Sequence, residues 1–247
     1  MPDGYQMGRA GPTTSLVLAG GVSLGAYEAG AYAALHEGGV PLPDWIAASS
    51  IGSVNAAIIA GNAPECRVER LRQFWETVTT NPMPVTSFWF GTPEAGPWRR
   101  AHNRASVLQT LFCGRPGAFR PRIAPGPQAG VDDVSALYDL APLRSHLPEV
   151  IDFDLLNSGK VRVSVVATDL VSGERVVFDT GRGARIAPDH ILASCALLPL
   201  FAPVELDGRS LGDGGMSSNA PLDVVLEEAD CGEMLCFGTA SEVGVGR

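Results

Sequence analysis

Two strand–turn–helix units follow one another between Ser15 and Gly61, and they restrict the fold more than any other feature of the chain. Ser15–Ala19 is an apolar run of strand length. The Gly-rich loop Gly20-Gly21-Val22-Ser23-Leu24-Gly25 closes it, and a helical pattern over Ala26–Glu37 follows, with Ala29, Gly30 and Ala33 as a small-residue face. Asp44–Gly61 repeats the layout: a short apolar run, a turn at Ser50, and a second apolar helix. Strands that alternate with helices pair in parallel, because each crossover helix returns the chain to the same end of the sheet, and the helices cover both faces. The expected fold class is therefore α/β: a three-layer α/β/α sandwich around a mostly parallel central sheet, in a single domain over residues 1–247.

The second turn carries the candidate chemistry. A serine placed between a buried strand and a helix, with small residues two positions either side, has the layout of a nucleophile elbow. Here those neighbours are Ala48 and Gly52, so the pattern reads Ala-x-Ser-x-Gly. Neighbouring backbone comes close at such a turn, which requires small side chains. The helix that starts there also presents unpaired N–H groups toward developing negative charge. The same residues equally suit a serine that caps a helix after a buried strand.

Further along, Arg67–Thr80 keeps helical spacing through Val68, Leu71, Phe74, Trp75 and Val78. Residues 81–134 are rich in Pro and Gly and hold the aromatic run Phe88-Trp89-Phe90, then Trp98, the basic pair Arg99-Arg100, and a helical piece near Ser106–Cys113. A loop region of this length reads as a lid or loop insertion. Its aromatics either fill a satellite core or form a lipid-facing acyl site. Ala136–Leu147 reads as a helix, Lys160–Asp169 and Arg175–Asp179 as a strand pair, and Pro188–Ala196 as an apolar helix. Ala202–Leu206 and Arg209–Leu211 flank Asp207-Gly208, a two-residue hairpin signal. Asp213-Gly214-Gly215 comes directly after, then a helix over Pro221–Ala229 and a strand over Met234–Phe237. Read locally, Asp213 is a hairpin-exit residue that caps a turn.

Composition narrows the function classes. A net charge of -9 and a pI near 4.9 argue against nucleic acid and give the whole chain no electrostatic attraction to anionic lipid. Five cysteines without a C-x-x-C pair read as reduced thiols of a cytoplasmic protein rather than a disulfide framework or a catalytic Cys. The polar Met1–Thr14 stretch lacks a signal-peptide pattern, and no run reaches the ~18 apolar residues of a membrane span. No metal-ligand spacing occurs, and no cofactor is expected.

Four segments in order make the chain resemble the patatin-like phospholipases, a family of lipid acyl hydrolases. Leu18–Gly30 is similar to the family's glycine-rich oxyanion loop, and Ala48–Gly52 with Asn55-Ala56 to its nucleophile elbow. Ser194–Val204 is similar to the segment before the catalytic Asp, and Asp213-Gly214-Gly215 with Asn219-Ala220-Pro221 to the Asp-Gly-Gly box. The resemblance implies a Ser–Asp dyad without a catalytic His: Ser50 as nucleophile and Asp213 as general base. It also implies an oxyanion hole from the N–H groups of Gly20, Gly21 and Val22, with Gly25, Gly214 and Gly215 as support beside Ala48 and Gly52. The implied partner is a lipid or ester substrate, met through transient contact with a membrane surface. The loop departs from the family pattern in carrying Val22 and Leu24 where a third Gly and a basic residue usually stand, which favours an ester hydrolase over a phospholipase.

Other readings of the same residues are a phosphate-cradling dinucleotide loop, for which the glycine spacing is wrong, and a triad of Ser50, Asp169 and His190. A lipid-binding or regulatory module with weak catalysis would use the same pocket. The short C-terminal stretch after Gly215, ending in the Gly-rich Gly238–Arg247, leaves an apolar face that predicts either a homo-oligomer or cover by the 81–134 loops.

Overall fold

The computed structural model describes residues 14–21, 24–79, 96–115, 117–122, 136–228 and 233–237. Its central element is a seven-stranded sheet in the order β7-β8-β5-β2-β1-β9, with β6 also paired to β5. The strands are β1 (Thr14–Leu18), β2 (Trp45–Ser49), β5 (Arg162–Asp169), β6 (Arg175–Asp179), β7 (Val204–Leu206), β8 (Arg209–Asp213) and β9 (Glu233–Phe237). The half β9-β1-β2-β5 is parallel, built by crossover helices, and β6, β7 and β8 are antiparallel additions made by hairpins. A two-stranded ribbon, β3 (Arg120–Pro121) with β4 (Tyr138–Asp139), lies outside it.

Strands β1, β2 and β5 are buried on both faces, so their sequences are largely apolar runs. Alternation still decides which layer each residue serves. Leu16, Leu18, Ile46, Ala48, Val163 and Val165 face the larger helical layer. That layer contains α1 (Leu24–Glu37), α2 (Ile51–Ala60), α3 (Arg67–Thr79), α5 (Ala141–Val150), α6 (Phe153–Leu156) and α7 (Pro188–Cys195). Val17, Trp45, Ala47 and Val166 face the other way, onto Val224 and Val225 of the short helix α8 (Leu222–Leu226). Here Arg162 binds Asp179 and Glu228 and lies 4.0 Å above the Trp45 ring, which ties β5, β6 and the end of α8 together.

Helix α2 is buried over nine of its ten residues, which explains a sequence apolar but for Ser53 and Asn55, both of them hydrogen-bonded. On α1 the buried positions are Gly25, Glu28, Ala29 and Tyr32, so of the Ala29, Gly30 and Ala33 stripe only Ala29 lies on the packed face. Gly30 is exposed, and a glutamate occupies the core face instead. The leucines between 137 and 147 predict one helix, but the structure has β4 followed by α5. Asp139 Oδ1 accepts the N–H of Ala141 at 2.8 Å, and a proline stands in the first helical turn, so the helix begins after Leu140. Helix α4 (Pro97–Cys113) is longer than the piece expected at Ser106–Cys113. Among the described residues no helix is long and apolar enough to cross a membrane, and no cluster of His, Cys, Asp and Glu suits a metal ion.

Candidate active site

The site forms where two strands meet end to end. β6 runs beside residues 164–168 of β5, so β2 and β8 must share the opposite edge. β2 arrives with Ser49 opposite Val166, and β8 arrives from the other direction with Asp213 opposite Ala167. Consecutive residues of β5 thus bring the end of each strand to one point. Ser50 Oγ donates to Asp213 Oδ2 at 2.6 Å.

Ser50 holds φ 52 and ψ -128, a strained conformation for a residue with a side chain. Neighbouring groups hold it there. Its N–H donates to Ser194 Oγ at 2.9 Å, and Ser194 Oγ donates to Val166 O at 2.6 Å. Its carbonyl accepts from Ser53 Oγ at 2.6 Å and from Cys195 Sγ at 3.3 Å. Ser50 is the N-cap of α2 but makes no capping bond through its side chain, so the hydroxyl is turned to Asp213 instead. Ala48 is fully buried in β2. A Cβ on Gly52 would lie 2.6 Å from Leu18 O, which is backbone and unable to yield, so only glycine fits. A Cβ on Gly214 would collide with Val166 O in the same way.

Asp213 is 4 % exposed and held at every polar atom. Oδ1 accepts the N–H of Gly215 at 2.6 Å, the backbone N–H donates to Ala196 O at 3.0 Å, and the backbone carbonyl accepts from Thr168 Oγ1 at 2.7 Å. Burial pushes its carboxyl above the ordinary range, against the opposing pull of the bonds from Ser50 and Gly215. Burial, then the neighbouring Asp213 charge, pushes the Cys195 thiol up as well, which keeps it neutral.

The glycine loop lies against this pair through Asn219. The N–H of Gly20 donates to Asn219 O at 2.9 Å, so that donor is engaged rather than open to a ligand. Gly20 itself fits between Asn219 Oδ1 and Ser50 Cβ, where any Cβ would collide. A Cβ on Gly215 would stand 2.9 Å from both Asn219 Oδ1 and Asp213 Oδ1. Gly21 is exposed with φ 145. Val22 lies outside the described residues, as do Phe88, Trp89 and Phe90. Trp98 falls in the first turn of α4. Gly25 packs under the loop: a Cβ there would meet Trp75 and Ile51.

Beneath the loop a buried polar chain joins the helices that follow the two turns. Asn55 of α2 donates from Nδ2 to Gly25 O at 2.9 Å and to Glu28 Oε2 at 3.2 Å, and accepts from Trp75 Nε1 at 3.0 Å. Burial raises the Glu28 carboxyl to about 7, despite bonds from Asn55 and the backbone of Ala19. Its Oε1 has no hydrogen-bond partner among the described residues.

The histidine of the triad reading is engaged elsewhere. His190 Nδ1 accepts the N–H of Ala187 at 3.0 Å, its ring meets Phe178 edge-on, and burial lowers its pKa. Asp169 Oδ1 accepts the N–H of Val171 and Ser172 in the β5–β6 turn. No hydrogen bond among the described residues joins either of them to Ser50. Ser194, Asn219, Glu28 and Asn55 fall in segments that resemble the family's motifs but were given no role there, and Thr168 was not singled out. For Ser194 and Glu28 the available signal was a hydroxyl or a carboxyl in an otherwise apolar helical face.

A solved structure, VipD from Legionella pneumophila, aligns with a TM-score of 0.46 and 14% identity over 91% of this chain and 49% of that one. The chain thus spans about half the length of that protein. The family model described as patatin-like phospholipase matches residues 16–226, and with the bulk of its length matched the chain belongs to the patatin-like phospholipase family.

Proposed function

We propose that the protein is a serine lipid acyl hydrolase that cleaves carboxylic esters through Ser50 and Asp213. The observation that carries this reading is the 2.6 Å bond from Ser50 Oγ to Asp213 Oδ2 at the strained turn. A serine hydroxyl attacks an ester only if a base removes its proton, and a desolvated carboxylate in hydrogen-bond contact is such a base. Asp213 takes the proton as Oγ bonds to the carbonyl carbon, and the carbonyl π pair moves to oxygen. The N–H groups of Gly21 and Val22 are the proposed donors to that oxyanion. Gly20, whose N–H is held by Asn219, anchors the loop. Collapse expels the alkoxide, which leaves as the alcohol with the proton from Asp213. Water then gives its proton to Asp213 and attacks the acyl-serine. Its collapse releases the carboxylic acid and returns the proton to Ser50.

Leu24, at the position of the family's usual base, supports a substrate without a phosphate near the loop, and hence a simple ester before a phospholipid. The test is hydrolysis of a medium-chain p-nitrophenyl ester by the wild type, Ser50→Ala and Asp213→Ala. The expected result is turnover in the wild type and a loss of at least ~10³-fold in each variant, with circular dichroism unchanged. Because the two residues act as a unit, the double variant is expected to be little worse than either single one. Lipid binding with no turnover by the wild type would instead assign a binding module.

A further inference from the structure

The last two turns of helix α4 are amphipathic with the faces reversed. Val107, Leu108, Leu111 and Phe112 repeat at i, i+1, i+4 and i+5, which places them on one side of the helix. That side is turned outward: the four are exposed by 58%, 54%, 49% and 78%. Gln109 and Thr110, on the opposite side, are half-buried. A row of large apolar side chains left in water while polar ones turn inward marks a contact surface.

The charge around this helix identifies the partner. Six of the chain's 18 Lys and Arg residues fall between Arg99 and Arg122, at positions 99, 100, 104, 115, 120 and 122, and none of its 27 acidic residues does. The net charge of -9 hides this strongly basic segment inside an acidic protein. Arg99 and Arg100 are exposed at the start of the helix, and Arg100 lies two turns before Val107 on the same side. Arg120 is paired with Asp139, and Arg115 donates to Thr79 O. An exposed apolar stripe beside arginines is the pattern of a helix that lies in the plane of a lipid interface.

We propose that the outer face of α4 docks on a lipid surface bearing anionic head groups. The helix is tied to the body that carries the site. Tyr138 Oη donates to Leu111 O at 3.0 Å, and the Tyr138 ring packs in a cluster with Phe119 and Phe201. The Tyr138 N–H donates to Leu200 O, in the segment leading from Ala196, whose carbonyl holds the N–H of Asp213. Leu137, beside Tyr138, is also exposed, by 56%.

Docking is independent of the proposed hydrolysis, so the test uses the full chain with Ser50→Ala, which leaves vesicles intact whatever the chemistry. Co-sedimentation with phosphatidylcholine vesicles containing roughly one third phosphatidylglycerol is compared with pure phosphatidylcholine. At least tenfold more binding to the anionic vesicles is expected, falling as salt rises to ~0.5 M. The pairs Leu108→Ser with Phe112→Ser, and Arg99→Gln with Arg100→Gln, should each lower it by about tenfold. Circular dichroism should not change, because these side chains are exposed. Should the apolar pair misfold, Phe112→Ser alone takes its place. Equal binding to both vesicles, or binding insensitive to both pairs, would overturn the proposal. So would a helix whose substitution alters only self-association in vesicle-free sedimentation, which assigns the face to a second copy.

Discussion

Ser50 and Asp213 each meet a requirement that opposes stability. The serine sits at φ 52, and the aspartate is nearly sealed from water. Burial raises the Asp213 pKa above its ordinary 3.8, and in the proposed reaction only the ionised form accepts the serine proton. The acid limb of kcat/KM on a soluble ester is therefore expected at a pKa above 3.8, measured as a pH–rate profile. The linked stability has a definite sign. A carboxyl with a raised folded-state pKa favours the fold while protonated, below its unfolded pKa, and loses that contribution as pH rises through the folded value. Asp213→Asn, whose side-chain oxygen can still accept from Gly215, should then melt higher than the wild type above that pKa while lacking activity. A lower melting temperature for Asp213→Asn at neutral pH would contradict the idea that burial dominates this carboxyl.

At the scale of elements, the polar chain Gly25–Glu28–Asn55–Trp75 connects α1, α2 and α3 under the glycine loop. Glu28 was not legible as a core residue, because a lone glutamate in a helical pattern reads as solvent-facing. It is buried because Gly25, Glu28, Ala29 and Tyr32 share the side of α1 that meets α2 and α3. Asn55 bonds to it from α2 and Trp75 bonds to Asn55 from α3, and burial, then the Glu28 charge, raises the thiol pKa of Cys236 in β9. With the carboxyl raised from 4.5 to about 7, its contribution favours folding below about 4.5 and is lost as pH rises through about 7. Well above that pH, ionisation costs on the order of 3 kcal/mol. Glu28→Gln is expected to be near neutral at low pH and stabilising above about pH 8, and urea unfolding at several pH values measures the crossover. No gain at high pH would mean that the site relaxes or admits water when charged.

For the whole molecule, β9 closes one end of the sheet and pairs only with β1 among the described residues, which leaves an edge that another chain can extend. The homo-oligomer expected from the sequence is tested by sedimentation at micromolar concentration: a mass of 25.9 kDa that does not change on dilution counts against it. Charge also acts at this scale, since total charge hid the basic stretch around α4 that a positional reading exposes. By itself the sequence determined what is local. Apolar runs and helical spacing set the alternating strands and helices. Close backbone approach required small residues at Ala48 and Gly52, and Asp207-Gly208, both with positive φ, formed the β7–β8 turn. The family-like segments pointed to Asp213, but the local sequence left Asp169 and Asp213 both open, and the tertiary structure decided which of them faces Ser50. Asp169 and Asp213 lie near opposite ends of the short β5–β8 pairing, and a register in which Ser49 meets Val166 while Asp213 meets Ala167 selects the second. The same assembly joined Gly20 to Asn219 and brought Ser194 under the elbow. Register and layer packing depend on the summed contacts of segments more than a hundred residues apart, and no local window of sequence contains that sum.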